Sequence, residues 1–347
     1  MEKLKAAIIG SGNIASTVHA PGYAALPDDV ELVAVSDVNL ENAHKLASEF
    51  GVSKVYADHR ELLKEVKPQL VSVCVPNKFH FPIVCDCLEA GANVFCEKPP
   101  AVSYEEALAM HQKAKKAGKL LSFNFNHRFR GESAAMKAMI EAGGLGTVYA
   151  AKVQALRRFA VPGWGVFTNK ELQGGGPLID IGVHMLDLAL YLMDFPNPVY
   201  ACGNTYDLIG KKGGVGQFGA WDGGKFTVED SAFGFVSFEN GMSLTLETSF
   251  TLNTPQTTAT EMNVHLYGDK AGVSLSPFMK YHNDGPRLIN ETIPFETRDF
   301  VLAGPKNFAN AVLGREEAVV TSKNVLLTQR IISALYQSAQ TKQPVLF

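Results

Sequence analysis

The first 125 residues alternate between short apolar runs and amphipathic segments, and this alternation constrains the fold more than any other feature. The apolar runs have the length of strands and cover residues 4–9, 30–35, 70–75, 92–96 and 120–125. They do not alternate strictly between apolar and polar side chains, which is typical of strands buried on both faces of a parallel sheet. Helical patterns separate them at residues 40–50, 83–90 and 103–117. The sequence therefore predicts a doubly wound α/β domain over residues 1–125.

The pattern changes after residue 125. One helix is predicted at residues 179–193, and strand-like segments then follow one another without intervening helices, at residues 199–205, 231–238, 242–250, 261–267 and 273–275. This succession predicts an antiparallel or mixed sheet in a second domain, residues 126–347. Residues 210–224 contain seven glycines in fifteen positions and are interpreted as a flexible surface insertion. Because both alternating sets of residues 232–238 include apolar side chains, we expect helices or another subunit to cover the second face, and we hypothesise a homo-oligomer that pairs through this sheet.

Composition excludes several classes of protein. Lys and Arg number 32 against 35 for Asp and Glu, a net charge of −3, which argues against a nucleic-acid partner. No apolar stretch approaches the roughly 18 residues of a membrane span, and the apolar run at the N-terminus is too short for a signal peptide. The five cysteines form no CxxC pair and show no zinc-type spacing, so we expect no metal site. Reduced thiols in a cytoplasmic protein are the favoured interpretation.

A glycine motif follows the first predicted strand. Gly10-Ser11-Gly12-Asn13-Ile14-Ala15 has the pattern G-x-G-x-x-A and opens a predicted helix. In such a motif the first glycine permits a tight turn, the second lets the backbone approach a pyrophosphate, and the helix start supplies N–H donors to the anion. Asp37 ends the second strand, where a carboxylate can bind both ribose hydroxyls and repel a 2′-phosphate. The sequence therefore predicts a dinucleotide site that prefers NAD to NADP.

Further candidate residues follow the next strands of the predicted parallel sheet. Pro76, Asn77 and His80 come after one strand, and Glu97 and Lys98 after the next. Ligands of such sheets bind at the carboxyl ends of the strands, which makes Lys98 a candidate functional residue.

A second candidate cluster opens the helix predicted after Gly174-Gly175-Gly176-Pro177. Asp180 and His184 are spaced i, i+4 and therefore share one helix face. The alternatives are a structural acid at a helix start and a core histidine. We expect the glycines to let a ligand approach the backbone, which favours a functional pair.

Together these segments resemble the Gfo/Idh/MocA oxidoreductase family, the glucose–fructose oxidoreductase and inositol dehydrogenase group. The resemblance rests on the glycine motif, Pro76-Asn77-x-x-His80, Glu97-Lys98-Pro99 and Asp180-x-x-x-His184. It implies a Rossmann domain, a C-terminal α/β domain with a large open sheet, and hydride transfer between a nicotinamide and a ring carbon of a sugar or cyclic polyol. It also implies that Lys98, Asp180 and His184 are catalytic, with a histidine base that titrates near neutral pH.

The remaining expectations concern substrate contacts and competing activities. Candidate substrate-binding residues are Asn126, Arg128, Arg157 and Trp164, besides Asp180 and His184. The cofactor contacts expected are Gly10, Gly12, Asn13, Ile14, Asp37, Pro76, Asn77, His80, Glu97 and Lys98. Two alternatives remain: an NAD-dependent glycosidase that oxidises its sugar transiently, and a cofactor-binding regulator without catalysis. A homodimer or homotetramer is expected.

Overall fold

The computed structural model describes residues 3–256 and 258–347, so the first two residues of the predicted first domain lie outside the described part. The chain forms two compact units. One contains the residues up to Asn126 together with Asp299–Leu326, and the other contains His127–Arg298 and Leu327–Phe347. The units are discontinuous in sequence, whereas the predicted domains, 1–125 and 126–347, are continuous. Residues 299–326 lie in the first unit although the prediction assigned them to the second domain.

The first unit is built on a six-stranded parallel sheet, as the alternating pattern predicts. Its strands are β1 (Leu4–Ile9), β2 (Val30–Ser36), β3 (Lys54–Tyr56), β4 (Leu70–Val73), β5 (Asn93–Cys96) and β6 (Leu121–Phe123). Their order in the sheet is β3-β2-β1-β4-β5-β6. The order reverses between β1 and β4, and in such a fold ligands bind beside that point, at the carboxyl ends of the strands.

Five helices of the first unit connect these strands. They are α1 (Ala20–Ala24), α2 (Leu40–Phe50), α3 (His59–Val66), α4 (His80–Glu89) and α5 (Tyr104–Ala117). The ends of α5 follow from local chemistry, since the Ser103 hydroxyl accepts from the Glu106 amide and Gly118 adopts a left-handed conformation. A π-helical turn, Ala15–His19, precedes α1.

The second unit is built on a nine-stranded mixed sheet. Its order is β16-β15-β14-β13-β7-β12-β11-β8-β17, and all neighbours are antiparallel except β7 and β12. The strands are β7 (Val148–Arg157), β8 (Pro198–Tyr206), β11 (Ser231–Phe238), β12 (Ser243–Ser249), β13 (Thr260–Gly268), β14 (Gly272–Ser274), β15 (Met279–Asp284), β16 (Arg287–Thr292) and β17 (Val345–Leu346). This architecture confirms the predicted fold class, an open and mostly antiparallel sheet.

Helices cover one face of that sheet. The helices of the second unit are α6 (Gly131–Glu141), α7 (Lys170–Gln173), α8 (Val183–Leu192) and most of α10 (Ser322–Thr341), whereas α9 (Phe300–Val312) lies in the first unit and packs against α1. α8 packs on β7 and β13, and Leu335 of α10 packs against Gly203 and Gly234. On the opposite face, aromatic side chains of β8 and β11 are half-buried or exposed, namely Tyr200, Tyr206, Phe233 and Phe235.

The glycine-rich stretch is a small ordered element. β9 (Gly214–Gly216) and β10 (Gly219–Trp221) pair as an antiparallel hairpin. The interpretation as a featureless flexible insertion is therefore wrong for its central part. Among the described residues, one helical stretch, Lys170–Leu192, is long and apolar enough to cross a membrane by length and composition, but 83% of its apolar window is buried inside the protein.

Candidate active site

The turn after β1 has the geometry that its glycine pattern predicts. Gly10 has a φ of +90°, and a Cβ there would lie 2.3 Å from the carbonyl oxygen of Cys74. Its amide donates to the Ser36 carbonyl at 2.8 Å. Only glycine combines this conformation with this close approach. The turn therefore fixes where the following helix starts, at the carboxyl edge of the sheet.

The space beside Gly12 is open, whereas protein atoms fill the space beside Gly10. No atom outside its immediate neighbours lies within 4 Å of the position that a Cβ would take. Asn13 and Ile14 begin the helix, and the amides of Ala15 and Ser16 point at the Gly12 carbonyl, at 3.1 and 3.3 Å. The backbone at this helix start can therefore be approached by an anion, which the helix dipole also favours.

The Asp37 carboxylate is held beside this turn by backbone donors. Oδ2 accepts from the Ser11 amide at 2.7 Å, and Oδ1 accepts from the Asn39 amide at 2.8 Å. A crevice of about 480 Å³ starts at the turn and is lined by Gly10, Gly12, Asp37, Val38, Pro76, Phe79 and other largely apolar residues. Val38 is 94% exposed, so an accessible apolar side chain lies beside the Asp37 carboxylate. An open glycine, a fixed carboxylate and an apolar crevice fit the adenosine half of a dinucleotide.

His80, a predicted cofactor contact, lies between two backbone carbonyls. Its side chain is fully buried, with Nδ1 2.8 Å from the Pro99 carbonyl and Nε2 2.9 Å from the Val75 carbonyl. Burial lowers the pKa of His80 and outweighs the two carbonyls, which favour the charged ring. A neutral imidazole donates to only one of the two carbonyls. His80 therefore links the segment after β5 to the segment after β4 through the Pro99 and Val75 carbonyls.

Glu97 is likewise engaged within the protein. One carboxylate oxygen accepts from His19 Nε2 at 2.8 Å and from Asn124 Nδ2 at 2.7 Å, and the other accepts from the Lys98 amide at 3.2 Å. Burial raises the pKa of Glu97, but the hydrogen bonds from His19 and Asn124 and the charge of Lys98 bring it below its usual value. Glu97 is therefore part of a buried hydrogen-bonded cluster with His19 and Asn124, and its predicted contact with the cofactor stays a prediction.

Lys98 lies between these two anchored neighbours. The preceding residue, Glu97, belongs to the buried cluster with His19. The carbonyl oxygen of the following residue, Pro99, lies 2.8 Å from His80 Nδ1. The Lys98 side chain itself is half-buried. The backbone on both sides of Lys98 is therefore fixed. A functional lysine needs such support, because its ammonium must be held in one place.

In the second unit, the helix that carries Asp180 and His184 begins at Pro177 with a π-helical turn, Leu178–Gly182, and continues as α8. Asp180 and His184 are both half-buried. π-Helical turns occur frequently at functional sites, where they shift side chains relative to a regular helix.

The start of this helix is capped by the protein itself. Glu229 accepts from the amides of Gly176 at 2.9 Å and Leu178 at 3.2 Å, and it also accepts from the Tyr336 hydroxyl at 2.8 Å. A Cβ on Gly175 would lie 2.0 Å from the Tyr336 hydroxyl oxygen, and one on Gly176 would lie 2.2 Å from the Glu229 carbonyl. The expectation that these glycines admit a ligand is therefore wrong, because Tyr336 and Glu229 fill the space.

His127 lies next to His184, and sequence reasoning missed it. The two imidazole rings are 5.2 Å apart, edge to face. The sequence analysis does not select His127, which stands far from His184 in the chain and belongs to no recognised motif. A histidine close after the last parallel strand was the one available signal.

Arg128 is buried in a structural ion pair. Its Nε and Nη2 donate to the two carboxylate oxygens of Asp187 at 2.7 and 2.6 Å, and both side chains are almost fully buried. The guanidinium also stacks against Tyr191 and Phe195, each at 5.2 Å. Arg128 therefore fixes α8 through Asp187, and its predicted contact with substrate stays a prediction.

Other predicted substrate contacts remain accessible. Arg157 is half-buried, and Trp164 is 54% exposed. Asn126, at the end of the first unit, is half-buried, and its Oδ1 has no hydrogen-bond partner in the part of the chain that the structure describes. Across residues 3–256 and 258–347, no three His, Cys, Asp or Glu side chains come together as a metal site would require.

Comparison with known proteins identifies both halves of the chain. The model of an oxidoreductase family with an NAD-binding Rossmann fold (GFO_IDH_MocA) matches residues 4–125, and the model of the family's C-terminal α/β domain matches residues 137–347. The chain is 45% identical to the D-glucoside 3-dehydrogenase of Escherichia coli K12 over 341 residues, which cover 97% of this chain and 96% of that protein.

Two further similarities are more distant. The myo-inositol 2-dehydrogenase of Thermotoga maritima is 31% identical over 215 residues, 61% of this chain and 62% of that protein. The crystal structure of a levoglucosan dehydrogenase in complex with NADH superposes with a TM-score of 0.84 over 99% of both chains, at 20% identity. At that identity the superposition establishes a shared fold.

Proposed function

Because the chain belongs to the Gfo/Idh/MocA family of NAD-binding oxidoreductases, we propose that it oxidises a ring hydroxyl of a sugar substrate with NAD⁺, at carbon 3 of a D-glucoside. The observation that carries the proposal is the 45% identity to a D-glucoside 3-dehydrogenase over nearly the whole length of both proteins. The predicted fold class and the NAD-binding domain agree with it. A transient oxidation that ends in glycoside cleavage, and a regulator without catalysis, have no comparable support.

The residues of the first unit would hold the cofactor. The open backbone around Gly12, Asn13 and Ile14 would bind the pyrophosphate, and Asp37 would bind the hydroxyls of the adenosine ribose. Pro76 and Asn77 follow β4 at the same edge of the sheet, and Pro76 lines the crevice. When bound, NAD⁺ supplies the nicotinamide carbon that accepts a hydride.

The proposed proton chemistry rests on Lys98, Asp180 and His184. A hydroxyl proton must leave the substrate oxygen as the hydride leaves its carbon, and a histidine can take it as general base. We assign that role to His184. The Lys98 ammonium would stabilise the negative charge that develops on the substrate oxygen. Asp180 would accept hydrogen bonds from substrate hydroxyls, with Asn126 and Arg157 as further contacts.

Two further properties form part of the proposal. The aromatic side chains on the uncovered face of the nine-stranded sheet support a homodimer or homotetramer that pairs through this face. The five cysteines are all unpaired, and burial raises the pKa of Cys74, Cys87 and Cys96, which supports a reducing, cytoplasmic location. No nucleic-acid or membrane partner is proposed.

A panel of glucosides, free sugars and inositols, incubated with NAD⁺ or NADP⁺ and followed by nicotinamide absorbance, tests the function. We expect reduction of NAD⁺ with D-glucosides and stoichiometric formation of a keto-glucoside. Release of the aglycone without net NADH would instead identify a glycosidase. If no member of the panel reduces either cofactor, the proposed function is wrong.

A further inference from the structure

The turn of the β9–β10 hairpin presents one aromatic side chain. Gln217 and Phe218 form the turn between the two strands, and Gly219 after them has a φ of +90°. The Phe218 side chain is half-buried, although its neighbours in the hairpin are largely exposed. Its surroundings within the second unit therefore determine what the hairpin does.

The hairpin is seated firmly on the segment that follows β7. The Gln217 amide donates to the Phe159 carbonyl at 2.9 Å. Trp221 is buried, donates through Nε1 to the Gly210 carbonyl at 2.8 Å and meets the Phe159 ring edge to face at 5.4 Å. At Gly163, a Cβ would lie 1.9 Å from the Ala220 carbonyl, so the two segments touch through their backbones. Such contacts fix the position of the turn.

Phe218 is held over the guanidinium of Arg157 and beside Trp164. The Arg157 Cζ lies 5.0 Å from the centre of the Phe218 ring and 5.4 Å from that of Phe250, so two aromatic rings flank the cation. The Trp164 ring lies 5.6 Å from the Phe218 ring, and more than half of Trp164 is exposed. Arg157, Phe218 and Trp164, here called the aromatic platform, thus form a continuous surface with one accessible ring.

The turn Leu178–Gly182, which carries the Asp180 that we have assigned to the sugar, packs on β7, the strand that ends at Arg157. Burial lowers the pKa of Arg157, and the negative charge of Asp180 acts against that shift, so the two groups are within electrostatic reach. The buried Nε of Arg157 has no hydrogen-bond partner among the described residues. A half-buried cation with a free donor favours an oxygen-bearing ligand, and an exposed indole favours a flat or apolar one.

We propose that the aromatic platform is a subsite for the aglycone of a glucoside, preferably an aromatic one, and that the glycine-rich hairpin sets this preference through Phe218. The inference rests on the proposed function and extends it from the oxidised sugar to the group attached to it. Trp164 and Phe218 stack on the aglycone ring, while Arg157 donates to oxygens near the glycosidic bond. The proposal requires that a substituent of the sugar held by Asp180 extends toward Arg157.

Substrate selectivity of hairpin variants tests the subsite. The ratio of kcat/KM for p-nitrophenyl β-D-glucoside to that for methyl β-D-glucoside is measured with NAD⁺ for the wild type, Phe218→Ala and Phe218→Tyr. Val215→Ala is the matched control, because Val215 lies on the same hairpin and is 72% exposed. We expect the wild type to prefer the aryl glucoside and Phe218→Ala to lose about tenfold on that substrate, with less than about a twofold loss on the methyl glucoside. Phe218→Tyr and Val215→Ala should keep the preference.

Several results would overturn the subsite. Equal losses on both glucosides in Phe218→Ala would show that the hairpin only supports the fold, and an unchanged ratio would show that Phe218 contacts no aglycone. A wild type that oxidises both glucosides equally well would refute the subsite but leave the proposed function intact. A wild type that neither oxidises either glucoside nor binds the aryl glucoside in a calorimetric titration would refute both.

Discussion

Two helix starts in this protein look alike in sequence and differ in structure. Each follows closely spaced glycines and contains a π-helical turn, Ala15–His19 in the first unit and Leu178–Gly182 in the second. At the first start, the space beside Gly12 is open. At the second start, Glu229 and Tyr336 occupy the space beside Gly175 and Gly176. The Glu229 carboxylate accepts hydrogen bonds from two backbone amides of this helix start.

The difference in accessibility gives the two helix starts different roles. An open helix start keeps its N–H donors and its dipole for an external anion, as a pyrophosphate requires. A start capped by a buried carboxylate cannot accept a second anion, but it is rigid and can hold Asp180 and His184 in place. Cofactor binding and proton transfer are accordingly assigned to different helix starts, and the predictions below separate them.

The largest effect is expected from the proposed chemical residues. His184→Ala and Lys98→Met should each lower turnover by about 10²-fold or more, because a general base or a charge that stabilises the transition state is lost. Steady-state rates with NAD⁺ and the best glucoside measure this. His44→Ala, which changes an exposed histidine on α2, serves as the control and should keep full activity. Near-normal turnover of both site variants would refute the assignment.

A pair of glycine variants should separate the two helix starts by stability. Gly176→Ala forces a methyl group against the Glu229 carbonyl and should lower the free energy of unfolding by about 1–3 kcal/mol. Gly12→Ala meets open space and should leave that free energy nearly unchanged. Denaturant unfolding followed by circular dichroism gives both values. Equal losses of stability would mean that the two glycines do not differ as described.

Asp37 should govern which nicotinamide cofactor binds. Asp37→Ser removes the carboxylate and should weaken NAD⁺ binding by about tenfold, while the discrimination against NADP⁺ falls because the repulsion of its 2′-phosphate is lost. Fluorescence titrations with both cofactors measure the two affinities. Glu41→Gln, an exposed carboxylate close by, is the control. If the preference for NAD⁺ survives in Asp37→Ser, another group determines it.

The smallest effect concerns the cap of the second helix. Burial raises the pKa of Glu229 above its unfolded value, so its contribution to stability is full below that unfolded value and is lost as pH rises through the folded one. Glu229→Gln does not titrate and should lack this decline. Unfolding between about pH 4 and 8 measures it, with the exposed Glu49→Gln as control. A Glu229→Gln profile parallel to that of the wild type would contradict the account.

Much of the fold could be predicted because its signals are local. Buried parallel strands show as apolar runs, and Ser103 and Gly118 mark the ends of α5 by capping chemistry. The return of residues 299–326 to the first unit had no such signal, since it depends on contacts far apart in sequence. The β9–β10 hairpin was missed because glycine-rich sequence does not reveal that Trp221 and Phe159 anchor it.

The sequence predicts where the candidate site residues stand in the fold, but not which residues their side chains contact. Lys98, Asp180 and His184 stand at strand ends and helix starts, which sequence shows. The buried pairing of Arg128 with Asp187 had no local signal, because the two residues are 59 positions apart in the chain. The partners of His80 and Glu97 could not be predicted either, since only the three-dimensional structure shows which carbonyls and side chains they bind.

The division of labour between the two helix starts is tested most directly by calorimetric titration of NAD⁺ into the wild type, Gly12→Val and His184→Ala. A valine side chain fills the open space at the first helix start, so Gly12→Val should weaken binding by at least about tenfold. His184→Ala leaves that start intact and should keep the wild-type dissociation constant within about twofold. Wild-type affinity in Gly12→Val, or a comparable loss in His184→Ala, would contradict the account.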